Sequence, residues 1–112
     1  MEIDMDYQDE LTKLHKAIVV DYARRTPEPD DRDVTQFAEG ITFEEGRKYI
    51  KVVKTLGTQQ MVWGFLMKED DKKFKKGDIL MAASWAAPAR NKARGNVFED
   101  YKIQWTGPNY LS

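Results

Sequence analysis

Cysteine is absent from the 112 residues and histidine occurs once. Disulfides, zinc–cysteine centres and a cysteine nucleophile are thereby excluded, and any imidazole chemistry rests on His15 alone. No apolar run approaches the roughly 20 residues that a membrane-spanning helix needs. The acidic start MEIDMDYQDE has neither the basic n-region nor the apolar h-region of a secretory leader, so the expected setting is intracellular, with no membrane partner. There is no internal repeat, low-complexity tract or glycine-rich phosphate loop.

The chain length suits one domain spanning 1–112 and leaves no room for a second. With 41% hydrophobic and 33% charged residues, the composition is that of a folded chain with a strongly hydrated surface. A formal net charge of −1 conceals an uneven distribution. Residues 1–45 carry thirteen acids against five bases, and residues 46–112 carry thirteen bases against six acids. Either the two regions neutralise one another on folding, or the basic region faces an anionic partner.

Leu11, Leu14, Ile18 and Tyr22 recur at spacings of three and four, which predicts an amphipathic helix over 6–25. Asp6 is placed to cap it, Arg24 and Arg25 suit its negative end, and Pro27 stops it. Residues 26–40 begin with two prolines among acids and read as an acidic connector, with room for a helical turn over 34–39. From 41 onwards the chain reads as β-rich. Strands are expected at 47–55, 59–68, 78–84 and 101–105. The second of these has apolar side chains in both alternating sets, which marks a central strand. Short connections favour antiparallel pairing. The expected fold is therefore α+β: an N-terminal amphipathic helix on a mainly antiparallel sheet of four to five strands, with curling into a small β-barrel as a variant.

The segment Trp85 to Asn96 (WAAPARNKARGN) lacks acids and alternates small residues with Arg90, Lys92 and Arg94. Small side chains allow close approach to a phosphate, arginines can fork onto its oxygens, and Trp85 offers a face on which a base could stack. Trp85, Arg90, Lys92 and Arg94 are the candidate nucleic-acid contacts; the competing reading is a solvated loop that offsets the acidic N-terminal region. Lys48, Lys51 and Lys54 divide between two faces of a strand, with edge protection as their expected role. The lysines at 72, 73, 75 and 76 neighbour Glu69, Asp70 and Asp71 and read as a solubilising hairpin tip.

Asp78 with Asp100 and Lys102 imitates the acid and acid-x-lysine pattern of magnesium-dependent nucleases, a spacing that chance supplies readily in a chain rich in acids and lysines. His15 has no acid and nucleophile grouped with it, and Ser84 lacks a nucleophile elbow. No catalytic residue, metal ligand or cofactor is nominated. Three tryptophans, five tyrosines and five phenylalanines are core by default. An exposed Trp85 or an exposed Gly107-Pro108-Asn109-Tyr110-Leu111 segment would instead be a contact for another protein.

The stretches GRKYIKVV, FKKGDILMAASWAAPARNKARGNVF and YKIQWTGPNYL resemble small proteins of tailed bacteriophages, particularly marine ones, that carry no assigned activity. The resemblance covers roughly 43–111, leaving the acidic helix and connector outside it as a variable addition. It implies a host-cytoplasmic or virion setting and transfers no site residue.

Three functions follow in order. The first is a non-enzymatic binding protein whose basic loop and sheet face contact nucleic acid. The second is a protein-interaction module, a virion component or a modulator of a host factor, acting through the acidic helix or an exposed sheet edge. In that reading Asp30, Asp31 and Asp33 imitate phosphate spacing, and self-association is a variant. The third is the magnesium-dependent nuclease.

Overall fold

A computed structural model describes residues 5–108. Helix α1 (Met5–Arg25) starts one residue before the expected boundary, so Asp6 lies within its first turn, and it ends where Pro27 requires. Its buried stripe is Tyr7, Leu11, Leu14, Ile18 and Asp21. A second helix, α2 (Asp31–Glu39), occupies most of what the sequence reading treats as connector. Its start is local chemistry: the Asp30 carboxylate accepts the Asp33 N–H at 2.8 Å, while Asp31 and Asp33 sit at the positive end of the helix dipole. The acidic cluster at 30–33 is thus first of all a helix start.

Four strands follow, β1 (Ile41–Glu45), β2 (Tyr49–Leu56), β3 (Gln59–Met67) and β4 (Ile79–Leu80), in an antiparallel meander of order β1-β2-β3-β4. The α+β architecture and the antiparallel sheet are as expected. The sheet stays open, however, with β1 and β4 at its two ends, so the barrel variant is corrected. The helices, with the 101–105 segment, cover one face and the loops carrying Phe74, Ala82 and Ala93 cover the other, and closure is not needed to bury either. Between Val52 and Val53 the pairing slips by one, since Val52 faces Gly64 and Val53 faces Val62, which leaves Trp63 as the extra residue of a bulge.

Strand β3 is buried on both sides, as its composition implies. On the helix side, Trp63 and Leu66 join Leu11, Leu14, Ile18, Ile50, Val52 and Ile79. Across the sheet, Phe65 and Met67 join Phe74 and Leu80. Each fully buried side chain of this size contributes about 1.5–3 kcal/mol. The Tyr7 hydroxyl also donates to the Met67 carbonyl at 2.6 Å, pinning the start of α1 to the end of β3.

Two expected strands are corrected. Only Ile79 and Leu80 of 78–84 are strand, because the chain then folds back and the Ala89 N–H donates to the Met81 carbonyl at 2.7 Å. Residues 101–105 are not a strand at all, although Tyr101, Ile103 and Trp105 do pack against the helix-side core. Their backbone groups are claimed by side chains instead. Trp63 Nε1 donates to the Gln104 carbonyl at 2.8 Å, Asp21 accepts the Trp105 N–H at 2.9 Å, and Lys54 Nζ donates to the Trp105 carbonyl at 3.1 Å. Conversely, β1 lies in the β-rich region from 41 onwards but ahead of the first expected strand, at 47–55.

Candidate nucleic-acid interface

Residues 81–89 form a small hairpin-like turn, with the Ala83 and Ser84 N–H groups both donating to the Ala87 carbonyl. Trp85 stands at its apex, 49% exposed. The small residues around it let the turn lie against the sheet face opposite the helices. There the Lys51 ammonium of β2 sits 4.4 Å from the centroid of the Trp85 ring. Beside it runs a groove of about 360 Å³ lined by Tyr49, Phe65 and Ala86 together with Arg47, Lys48 and Lys51, and by Glu44 and Glu45 of β1.

The four sequence-nominated residues do not converge. Arg90 is turned inward: its guanidinium donates to Asp71 at 2.6 Å and to the Tyr49 hydroxyl at 2.7 Å, and lies 4.9 Å from the Phe74 ring centroid. Asp71 also accepts the Phe74 and Lys73 N–H groups at 2.8 Å, and Lys48 approaches it at 3.3 Å. The two backbone hydrogen bonds, with Arg90 added, hold the Asp71 carboxyl well below the usual range. Lys73 further donates to the Arg90 carbonyl. This is a fastener between the tip at 70–74 and the start of the 90–96 loop. Arg94 bonds within its own loop, to the Lys92 carbonyl at 3.2 Å and to Asn91 Oδ1 at 3.4 Å. Trp85 and Lys92 remain exposed at the surface.

Sequence reasoning missed Lys51 as the partner of Trp85, since no spacing links a strand residue to a loop that folds onto it. The edge role given to Lys48, Lys51 and Lys54 is corrected: β2 lies between β1 and β3. Lys51 and Lys54 do take opposite faces, and Lys54 is 5% exposed. Burial pushes its amine below the usual lysine value.

The nuclease pattern is not assembled around Asp78. That side chain is 7% exposed, and its oxygens accept the Asn96 side-chain amide and the Lys75 N–H, each at 3.0 Å. Asp100 and Lys102 lie at the surface. Among the described residues no group of three or more His, Asp or Glu side chains is placed to hold a metal ion. His15 Nε2 lies 2.8 Å from the Ala38 carbonyl and joins the two helices. Gly107 and Pro108 are buried, Pro108 against Gly64; Asn109 to Leu111 lie outside the described residues.

Residues 2–109 match the model of a family described as one of unknown function, DUF7717. The chain belongs to this family. Because the match includes α1 and the acidic segment after it, these parts of the DUF7717 chain fall within the family's own extent and are not an addition to it. No curated protein and no solved structure matches the chain. No helix among the described residues is long and apolar enough to cross a membrane.

Proposed function

We propose that this DUF7717 chain is a non-enzymatic binding protein that takes single-stranded nucleic acid on the sheet face bearing Lys51 and Trp85. The observation that carries the reading is the half-exposed Trp85 with the Lys51 ammonium 4.4 Å from its ring centroid, next to a groove in which Arg47, Lys48 and Lys51 outnumber Glu44 and Glu45. An exposed aromatic framed by cations supplies both terms of single-strand binding, stacking for a base and attraction for the backbone. Relative to the sequence expectation, Lys92 and Trp85 stay in the contact set, Lys51, Arg47 and Lys48 join it, and Arg90 and Arg94 become its supports.

Fluorescence anisotropy with labelled single-stranded DNA, duplex DNA and RNA, at low and at physiological salt, tests the reading. Saturable, salt-sensitive binding that prefers a single strand, and that drops about tenfold in Trp85→Ala by loss of one stacked base, is the expected result. Absence of binding at low salt, where attraction between opposite charges is strongest, would end it.

A further inference from the structure

The outer side of β1 carries no partner strand among the described residues. Which of its backbone groups face outward follows from the pairing with β2. The Thr55 N–H donates to the Gly40 carbonyl at 2.8 Å and the Gly46 N–H to the Tyr49 carbonyl at 2.8 Å, so even-numbered residues bond inward in this ladder. Ile41, Phe43 and Glu45 therefore aim their N–H and C=O groups away from the sheet. Their side chains lie on the helix side, where Phe43 and the α1 residues Gln8, Leu11, Thr12 and His15 line a hollow of about 320 Å³. A row of outward backbone groups beside a partly apolar hollow is the arrangement that accepts an added strand.

We infer that this edge pairs with β1 of a second copy of the chain, antiparallel about a two-fold axis at Phe43. The sequence Ile41-Thr42-Phe43-Glu44-Glu45 is self-complementary in that register. Phe43 meets its symmetry mate over the paired hollows. Ile41 faces Glu45, whose carboxylate is already neutralised by Lys68 of its own chain at 2.5 Å. On the opposite face, exposed Thr42 meets exposed Glu44, a hydroxyl donor against a carboxylate. All three outward residues of each copy find backbone partners, and no two like charges stand directly opposite. Shifting the two-fold centre away from Phe43 leaves at least one outward residue of each strand unpaired. The result is a continuous antiparallel sheet across two chains, joined through a symmetric interface of the kind commonest in homodimers.

Sedimentation velocity on the full chain over a wide concentration range, with circular dichroism as the check on folding, tests this. The expected result is a monomer–dimer equilibrium whose dissociation constant moves in opposite directions for two substitutions at one exposed position. Thr42→Glu sets glutamate against Glu44 twice per dimer and should weaken association about tenfold, whereas Thr42→Lys sets unlike charges there and should tighten it by a few-fold. A chain that stays monomeric up to about 1 mM overturns the inference. So does a dimer indifferent to both substitutions, or one weakened equally by both, because either places the interface elsewhere. None of these outcomes bears on nucleic-acid binding by the monomer, which the anisotropy experiment reads separately.

Discussion

Asp21 of α1 and Lys54 of β2 grip the two backbone polar groups of a single residue, Trp105, the first accepting its N–H at 2.9 Å and the second donating to its carbonyl at 3.1 Å. Lys54 Nζ also reaches the Thr106 carbonyl at 3.3 Å and lies 4.9 Å from the Trp105 ring centroid. The indole packs edge-on against both Tyr22 and Phe37, which are stacked on each other at 4.0 Å between centroids. Helix, sheet and C-terminal segment are thus locked together by two charged side chains that sequence patterning would have assigned to solvent.

Burial opposes the charge on Asp21, but hydrogen bonds from Arg25 and the Trp105 N–H, together with the charges of Arg25 and Arg24, outweigh it and lower the carboxyl's pKa. A carboxyl with a depressed folded-state pKa contributes stability that is present above its unfolded value and lost as pH falls through the folded one. Asp21→Ala should therefore cost about 1–2 kcal/mol at pH 7 by leaving a part-buried N–H without its acceptor. Urea unfolding should find that deficit shrinking as the pH is lowered below the unfolded carboxylate range. A deficit that stays constant down to acid pH would contradict the assignment.

For Lys54 the sign is reversed. A lysine whose folded pKa is lowered by burial is destabilising while both states are protonated, and that penalty is relieved as pH rises from its folded pKa towards the ordinary lysine range. The stability of wild type relative to Lys54→Met should accordingly increase between pH 7 and pH 10. Equal differences at the two pH values, measured by denaturant titration, would mean that the amine is not desolvated.

Arg90 and Lys92, near neighbours in the loop, should separate cleanly by their substitutions. Arg90→Ala removes the bonds to Asp71 and Tyr49 and should lower Tm, whereas Lys92 is exposed and Lys92→Ala should leave Tm within about a degree while weakening nucleic-acid binding at low salt. Thermal unfolding alongside anisotropy reads both. A lower Tm for Lys92→Ala than for Arg90→Ala would reverse the roles given to them.

Two glycines with positive φ should respond unequally to alanine. At Gly77, φ is 87° and an added Cβ would fall 2.5 Å from the Phe98 ring and 2.8 Å from the Asn96 side-chain oxygen; at Gly57, φ is 64° and nothing lies within 4 Å. Gly57→Ala should cost about 1–2 kcal/mol, the backbone penalty alone, and Gly77→Ala should cost more because crowding adds to it. Chemical denaturation of the two variants would show whether that order holds.

Elements whose signal is local and periodic can be read from the sequence directly. The stripe Leu11, Leu14, Ile18 places α1 within a residue at its start, and the doubly apolar run at Met61 to Met67 marks the strand buried on both faces. These are legible because one face of a helix or both faces of a strand must be apolar wherever they are covered. The candidate site was legible only in part: Trp85 and Lys92 are at the surface, but the cation over the indole is Lys51, brought there by a fold-back that no spacing encodes. Tertiary structure alone decided that Arg90 is a fastener, that Lys54 lies inside and that residues 101–105 stay out of the sheet. In each case the deciding factor is a polar group finding a backbone or carboxylate partner distant along the chain. Such pairings depend on which surfaces meet, and alternation of apolar and polar residues carries no record of them.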